Sequence, residues 1–300
     1  MFQRLLVPLD GSHLAEAVLP ICRRLEQVLH ARVMLLHVLE RGAPAEVHGE
    51  RHLATVEEAE RYLKEIADNL EPVGISVAWH AHPAPEGDVA RSITAHAEEE
   101  GADLIVLATH GEGNVRQRIF GSIAQQVLQR GSIPVLLARP TGGPPPSFAP
   151  LKILVPLDAT SDAEAALGPA KELARALGAS LHLVTVVPTS GTIRGDRVAT
   201  AILLPTATHQ ALELEQQEVQ NYLEDLAAKL RAEALAVTTE VRRGEPSAAL
   251  ADEATEPDVG LVVVATHGRA GLQAAWAGSV TARLLSRTHA PVLLLRTVEG

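Results

Sequence analysis

The sequence repeats itself once, with a period of about 150 residues. The run "LLVPLD" at residues 5–10 returns as "ILVPLD" at residues 153–158. "LATHG" returns as "VATHG", and "GSIPVLLAR" returns as "THAPVLLLR". Because these landmarks keep their order in both halves, we interpret the chain as a tandem duplication of one domain. Any fold assigned to the first half must therefore also fit the second.

The segment between the halves reads "RPTGGPPPSFAP". It is rich in proline and glycine and lacks hydrophobic periodicity, which is typical of a semi-stiff linker. We therefore expect a first domain at residues 1–140, a linker at 141–150 and a second domain at 151–300. The second half has a longer stretch after its second strand, at residues 188–209.

Each half alternates short apolar runs with amphipathic helical stretches, which predicts an α/β fold. Continuous runs such as "DLIVLA" indicate strands that are buried on both faces, as in a parallel sheet. Five strands and four intervening helices make a doubly wound unit. If the strand order is 3-2-1-4-5, it reverses between strands 1 and 4, and ligands bind such sheets there, outside the carboxyl ends of the strands.

The composition argues against several classes of partner. The formal net charge is −11, and we expect no nucleic-acid partner because phosphate backbones require a basic surface. The apolar runs are too short for a bilayer, and the chain opens on a strand pattern without a signal peptide. We therefore expect a cytoplasmic protein without a membrane partner. The single cysteine, Cys22, excludes a disulfide framework, and we expect it to be buried.

The most closely repeated feature is the loop after the fourth strand. It reads "ATHGEGNVRQRIFGS" and later "ATHGRAGLQAAWAGS", each with nine residues between a glycine and a Gly-Ser pair. Backbone N–H groups of such turns and of a helix N-terminus bind anions, so we predict a phosphate site. The alternative is an ordinary N-cap serine. The chain has no Gly-Lys pair, which excludes a Walker loop, and Arg116 breaks the dinucleotide fingerprint in "GEGNVR".

An aspartate ends the first strand of each half, Asp10 and Asp158, at the mouth of the predicted crevice. A carboxylate there suits a ribose hydroxyl or an adenine amino group. The alternative is an Asx turn or a helix cap. His110 and His267 lie inside the repeated loops and are candidate neighbours of the ligand.

Two further histidine pairs attract attention as metal ligands. His48 and His52 are four residues apart, and His80 and His82 would share a strand face. No acidic or cysteine partner set stands out beside His48 and His52, and we expect no metal site from the protein alone. The chain also lacks a G-x-S-x-G nucleophile elbow, and we expect no catalytic residue.

The repeated frame resembles the nucleotide-binding signature G-x2-G-x9-G-[S/T] of the universal stress protein family. "VPLDGS" is similar to the family's first strand with its adenosine-contacting aspartate, and "PVLLAR" and "PVLLLR" are similar to its closing strand. The resemblance covers nearly the whole chain outside the linker and residues 188–209. It implies two tandem Rossmann-like domains of the adenine nucleotide alpha hydrolase type.

The resemblance also implies an adenine nucleotide, ATP or else ADP, AMP or cyclic AMP, with Mg²⁺ or Mn²⁺ on the phosphates. In the first domain it implies a site made of Pro8, Leu9, Asp10, Val38, Ala108, His110, Gly111, Gly121, Ser122 and Ile123. In the second it implies Pro156, Leu157, Asp158, Val186, Ala265, His267, Gly268, Gly278, Ser279 and Val280. The first residue of the signature departs from the family, because alanine replaces glycine in both halves.

The implied function is an ATP-binding stress-response or regulatory protein with one site per domain and no fast catalysis. One alternative is a slow ATPase or an autophosphorylating enzyme, with Ser122 or Ser279 as the acceptor. A second alternative is a nucleotide-free interaction scaffold. The family also implies pairing through the fifth strands, here within one chain, and further implies a homodimer or an unidentified protein partner.

Overall fold

A computed structural model describes most of the chain. The described residues are 1–42, 46–47, 50–70, 77–83, 87–109, 122–140, 147–193, 195, 197–267 and 280–297. They form two compact units. Unit 1 comprises Met1–Ala149 with Pro291–Arg296, and unit 2 comprises Pro150–Ala290 with Thr297–Gly300.

Unit 1 alternates strands and helices as the sequence predicts. Its strands are β1 (Arg4–Pro8), β2 (Arg32–Leu39), β3 (Glu46–Val47), β4 (Glu50–Arg51), β5 (Val77–Pro83), β6 (Leu104–Ala108) and β7 (Val135–Ala138). Its helices are α1 (Leu19–Leu29), α2 (Val56–Leu70), α3 (Val89–Glu99) and α4 (Ser122–Arg130). Apart from the β3–β4 hairpin, the strands lie in the order β5-β2-β1-β6-β7, all parallel. This order confirms the predicted 3-2-1-4-5 arrangement.

Two local features of unit 1 differ from the prediction. The first helix begins as a 3-10 helix over Ala15–Val18 and becomes α-helical only at Leu19. Pro20 fits the first α-helical turn, where its missing N–H group would have no helical partner. The short antiparallel hairpin β3–β4 precedes α2 and had no periodic signal in the sequence. Cys22 is buried, as expected, and burial raises the pKa of its thiol to about 12.

Unit 2 repeats the alternation of parallel strands and helices. Its strands are β8 (Lys152–Pro156), β9 (Ser180–Val187), β10 (Val237–Arg243) and β11 (Val259–His267), in the parallel order β10-β9-β8-β11. Its helices are α5 (Ser161–Glu164), α6 (Leu167–Leu177), α7 (Arg197–Leu203), α8 (Pro205–Ala232), α9 (Pro246–Glu253) and α10 (Val280–Arg287). The extra residues of the second half form α7 and lengthen α8. Within the described ranges, every helix is too short or too polar to cross a bilayer.

The last strand, β12 (Val292–Thr297), pairs antiparallel with β7. Val292, Leu293 and Leu294 lie opposite Leu137, Leu136 and Val135, and all six side chains are buried. Within unit 1, this pairing covers the apolar edge of β7.

Gly260 lies at a close backbone approach in unit 2. The register between β11 and β8 shifts between Val259 and Leu261, so this glycine occupies a bulge. A Cβ atom built on Gly260 would lie 2.5 Å from the Cα atom of Pro150. Pro150, which joins the linker to β8, therefore packs directly against Gly260 and leaves no room for a side chain there.

We expect Gly260→Ala to lower the free energy of unfolding by roughly 1–3 kcal/mol, since the backbone of Pro150 must move. Gly168→Ala in α6 is the matched control. Nothing lies within 4 Å of a Cβ atom at that position, so the alanine should be neutral or stabilise the helix. Urea denaturation of both variants measures the difference, and equal stability of the two would contradict the close packing at Gly260.

Candidate functional site

A crevice opens at the carboxyl ends of β1 and β6, where the strand order of unit 1 reverses. These strands are neighbours, but β2 pairs with the other side of β1, and β7 with the other side of β6. The connection that follows β1 and the connection that follows β6 therefore run in opposite directions. They leave an open space between the ends of these two strands. A cavity of about 180 Å³ lies there.

The cavity is lined by the ends of three strands and the first turns of two helices. Among the lining residues are Pro8, Leu9, Asp10, Leu36, His37, Val38, Glu40, His52, Val89, Ile93, Leu107, Ala108, Ile123 and Ala124. Six residues named from the sequence belong to this set, namely Pro8, Leu9, Asp10, Val38, Ala108 and Ile123. The tertiary structure thus brings together residues that are spread over more than a hundred positions of the chain.

The remaining predicted residues of the first site divide into two groups. His110, Gly111 and Gly121 lie outside the described residues. Ser122 is the first residue of α4, the position that the sequence assigned to it. Ligand contacts by any of the predicted residues stay a prediction.

Asp10 is held in an Asx turn. Its Oδ1 atom accepts hydrogen bonds from the backbone N–H of Ser12 at 2.9 Å and from the Ser12 hydroxyl at 2.6 Å. The Ser12 Oγ in turn accepts from the N–H of Ala15, the first residue of the 3-10 helix. The alternative interpretation of this aspartate as a turn residue is therefore confirmed. The turn also fixes the carboxylate at the wall of the cavity.

Unit 2 builds the same turn. The Oδ1 atom of Asp158 accepts from the N–H of Thr160 at 3.1 Å and from its hydroxyl at 2.5 Å. The strand junctions also match, because Leu9 N–H donates to the Leu36 carbonyl and Leu157 N–H donates to the Val184 carbonyl, both at 2.8 Å. The duplicated sequence therefore gives the same local geometry at the end of the first strand in each unit.

The other predicted residues of the second site fall on the equivalent elements. Pro156 ends β8, Val186 lies in β9, Ala265 and His267 lie in β11, and Val280 begins α10. Gly268, Gly278 and Ser279 lie outside the described residues. Their role as phosphate ligands stays a prediction.

Two histidines in the cavity wall were not named as site residues from the sequence. His37 is 1% exposed, and its Nδ1 lies 2.8 Å from the Leu9 carbonyl oxygen. A carbonyl only accepts, so Nδ1 carries the proton and Nε2 of the neutral ring is an acceptor. This Nε2 and the Nδ1 of buried His52 have no hydrogen-bond partner within the described ranges. A histidine inside the apolar run "VMLLHVL" was the only available signal.

His37 is held neutral by its surroundings. Burial lowers the pKa of its imidazole most, and the neighbouring His52 lowers it further. The hydrogen bond to Leu9 and the charge of Asp10 oppose these effects but do not cancel them. The neutral ring keeps Nε2 of His37 as an uncharged acceptor, and this atom is buried.

Comparison with known proteins gives the same answer for both halves. The model of the universal stress protein family matches residues 1–139 and again residues 151–296. The chain is 28% identical over 151 residues to the universal stress protein YxiE of Bacillus subtilis, covering 46% of this chain and 100% of the relative. It is 26% identical over 158 residues to a universal stress protein of Methanocaldococcus jannaschii, covering 46% of this chain and 96% of the relative.

Solved structures match the whole chain in fold. A universal stress protein from Archaeoglobus fulgidus covers 98% of this chain and 96% of its own length, with a TM-score of 0.68 and 18% identity. The cytoplasmic domain of a prokaryotic cation chloride cotransporter also covers 98% of this chain and 95% of its own length, with a TM-score of 0.57 and 17% identity. At these identities the likeness concerns the fold alone.

The lowered pKa of His37 predicts that acidification destabilises the fold. Below about pH 6.5, His37 is protonated in the unfolded chain but stays neutral in the folded protein. The free energy of unfolding therefore falls as the pH decreases. His37→Asn removes the titrating group and keeps a side-chain donor for the Leu9 carbonyl. Urea denaturation at about pH 7.5 and 5.5 should therefore show a smaller loss in the variant than in the wild type. An equal loss would contradict a depressed pKa at His37.

Proposed function

Because the chain belongs to the universal stress protein family, we propose that it is a stress-response or regulatory protein that binds an adenine nucleotide, with ATP as the main ligand. The crevice between β1 and β6 is the proposed site in unit 1. The observation that carries this proposal is the convergence of an apolar cavity, a fixed carboxylate and a helix N-terminus at the carboxyl ends of the strands.

The apolar part of the cavity suits a base. Leu36, Val38, Ile93 and Leu107 contribute aliphatic surface, and burying a flat aromatic group against such surface is favourable. Asp10 stands beside them with its carboxylate already oriented by Ser12. A ribose hydroxyl that donates to this carboxylate forms a charge-assisted hydrogen bond, which is about twice as strong as a neutral one.

His37 adds a preference for adenine. Its neutral Nε2 is an acceptor, and it lacks a partner among the described residues. The exocyclic amino group of adenine donates hydrogen bonds, whereas the 6-oxo group of guanine accepts them. A base that reaches this buried acceptor is therefore favoured when it is adenine, because a 6-oxo group would leave both acceptors unpaired.

The phosphates are assigned to the first turn of α4. Ile123 and Ala124 line the cavity, so the N-terminus of this helix faces the same space as Asp10. Its unpaired backbone N–H groups and the helix dipole favour an anion. Mg²⁺ or Mn²⁺ would accompany the phosphates and prefers oxygen ligands. Asp10 and Glu40 are the carboxylates of the described lining that fit this preference.

A second site is proposed in unit 2, because Asp158 repeats the turn of Asp10 at the end of β8. The nucleotide would act as a ligand that biases conformation, and a protein partner or a second copy of the chain would respond to that bias. We place this function in the cytoplasm, where adenine nucleotides are abundant.

Asp10→Asn tests the site in unit 1. Asparagine keeps an oxygen for the Asx turn and removes the charge, so the fold should persist while ATP affinity in unit 1 falls about tenfold. Isothermal titration of the full chain with ATP and Mg²⁺ should show two sites in the wild type. Asp10→Asn and Asp158→Asn should each weaken a different one.

Asp68→Asn is the control for charge alone. Asp68 is exposed on α2 and pairs with Lys64 at 2.7 Å, and it does not line the cavity. Unchanged ATP binding in Asp10→Asn and Asp158→Asn would refute both assignments. If ATP, ADP, AMP and cyclic AMP all fail to raise the melting temperature, the protein is instead a nucleotide-free scaffold. Phosphate release proportional to protein concentration would identify a slow ATPase.

A further inference from the structure

Three histidines of unit 1 meet outside the nucleotide crevice. His80 and His82 lie on one face of the edge strand β5, and His96 reaches them from α3. The ring centroid of His96 lies 4.9 Å from that of His80 and 4.9 Å from that of His82. The centroids of His80 and His82 lie 5.7 Å apart. Within this cluster, one nitrogen from each ring lies within 4.8 Å of the other two.

We propose that His80, His82 and His96 form a binding site for a divalent transition-metal ion, with Zn²⁺ as the best match. Imidazole nitrogen is a preferred ligand of Zn²⁺, and three histidines with an open fourth position are a known tetrahedral arrangement. Zn–N bonds of about 2.0–2.1 Å require nitrogens about 3.4 Å apart in that geometry. The cluster must therefore contract by roughly 1–1.5 Å on binding.

The cluster has the freedom to make this adjustment. His96 is 9% exposed and is fixed by α3, while His80 is exposed. The rings of His80 and His96 are nearly parallel, with an interplanar angle of 13°, so their in-plane lone pairs do not converge. A rotation of the exposed His80 side chain corrects this without moving the backbone of β5.

The surroundings suit a bound cation. The Nδ1 of His96 lies 3.6 Å from the Glu99 carboxylate, and a carboxylate beside a ring nitrogen is the usual outer partner of a ligating histidine. A cavity of about 180 Å³ adjoins His82, His96 and Glu99 and leaves space for a fourth ligand.

Unit 2 holds different side chains at the same positions. His80 lies opposite Leu36, and His82 opposite Val38, whereas Glu240 and Arg242 lie opposite the equivalent Val184 and Val186. His96 comes eight residues after the N-cap of α3, and Glu253 comes eight residues after the N-cap of α9. The histidine triad of unit 1 therefore corresponds to Glu240, Arg242 and Glu253.

The residues of unit 2 form ion pairs with one another. Arg242 lies 2.9 Å from the carboxylate of Glu240 and 3.5 Å from that of Glu253. His182 adds a contact of 3.0 Å to Glu253 and uses its other nitrogen on Thr238. His182, Glu240 and Glu253 also lie close enough to hold a cation, but both carboxylates already contact an arginine. The three imidazoles of unit 1 carry no such internal counter-charge and share the same kind of lone pair.

Zn²⁺ titration of the full chain, without nucleotide and with a competing chromophoric chelator, tests the proposal. The wild type should bind one Zn²⁺ at this site, and Zn²⁺ should raise the melting temperature by mass action. His80→Ala should weaken binding at least about tenfold, since loss of an outer partner alone costs 10–100-fold. His80→Ala/His82→Ala should abolish binding at this site. Both side chains project from an edge strand, so the variants should fold.

Two further variants serve as controls. His209→Ala removes an exposed histidine of α8 that lies 3.3 Å from Glu213, and it should leave Zn²⁺ binding unchanged. The triple variant His80→Glu/His82→Arg/His96→Glu places the ion-pair set of unit 2 in unit 1, and it should fold without binding Zn²⁺. The proposal is overturned if the wild type binds no Zn²⁺ above the level of the triple variant. It is also overturned if His80→Ala/His82→Ala retains wild-type affinity.

Discussion

Burial of the central strands on both faces is the constraint from which the rest of the structure follows. Every side chain of β6 and β7 is buried, and so are the middle three of β1 and of β8. Strands of this kind need helices on both faces of the sheet, and parallel pairing requires a crossover between successive strands. These crossovers bring all carboxyl ends to one edge. The reversal of strand order then leaves the crevice open between β1 and β6.

Duplication preserved this frame while the polar groups inside it diverged. The Asx turns of Asp10 and Asp158 are the same in kind, and so are the backbone bonds that follow them. His37 and Thr185 occupy equivalent positions one residue beyond these bonds, and both are buried. A neutral imidazole and a hydroxyl differ in size and in hydrogen-bonding capacity. The two units therefore share the backbone geometry at this position but differ in the polar group that it carries.

The triad of unit 1 and the ion pairs of unit 2 extend this contrast to the edge of the sheet. Both sets join the edge strand to the helix that follows it, but one uses opposite charges and the other uses three imidazoles. Opposite charges stabilise such a contact directly, whereas three imidazoles are suited to hold a cation between them. The same backbone arrangement thus supports ion pairs in unit 2 and the proposed metal site in unit 1.

The sequence alone determined the features that depend on local pattern. Apolar runs and helical spacing located most strands and helices, and the repeat located Asp10 and Ala108 at the ends of the first and fourth strands. The resemblance to the family added Val38 and Ile123, and the continuous apolar runs predicted a parallel sheet. Local periodicity suffices for these features because each is encoded within one element or its terminus.

Only the tertiary structure decided which side chains meet across elements. His37 bonds to the Leu9 carbonyl because β2 lies beside the end of β1, and nothing near residue 37 in the chain indicates this partner. His96 meets His80 and His82 because α3 crosses back over the edge strand, which completes a triad that seemed to be an isolated pair. Such contacts depend on packing between distant segments, and the hydrophobic periodicity of the sequence does not predict them.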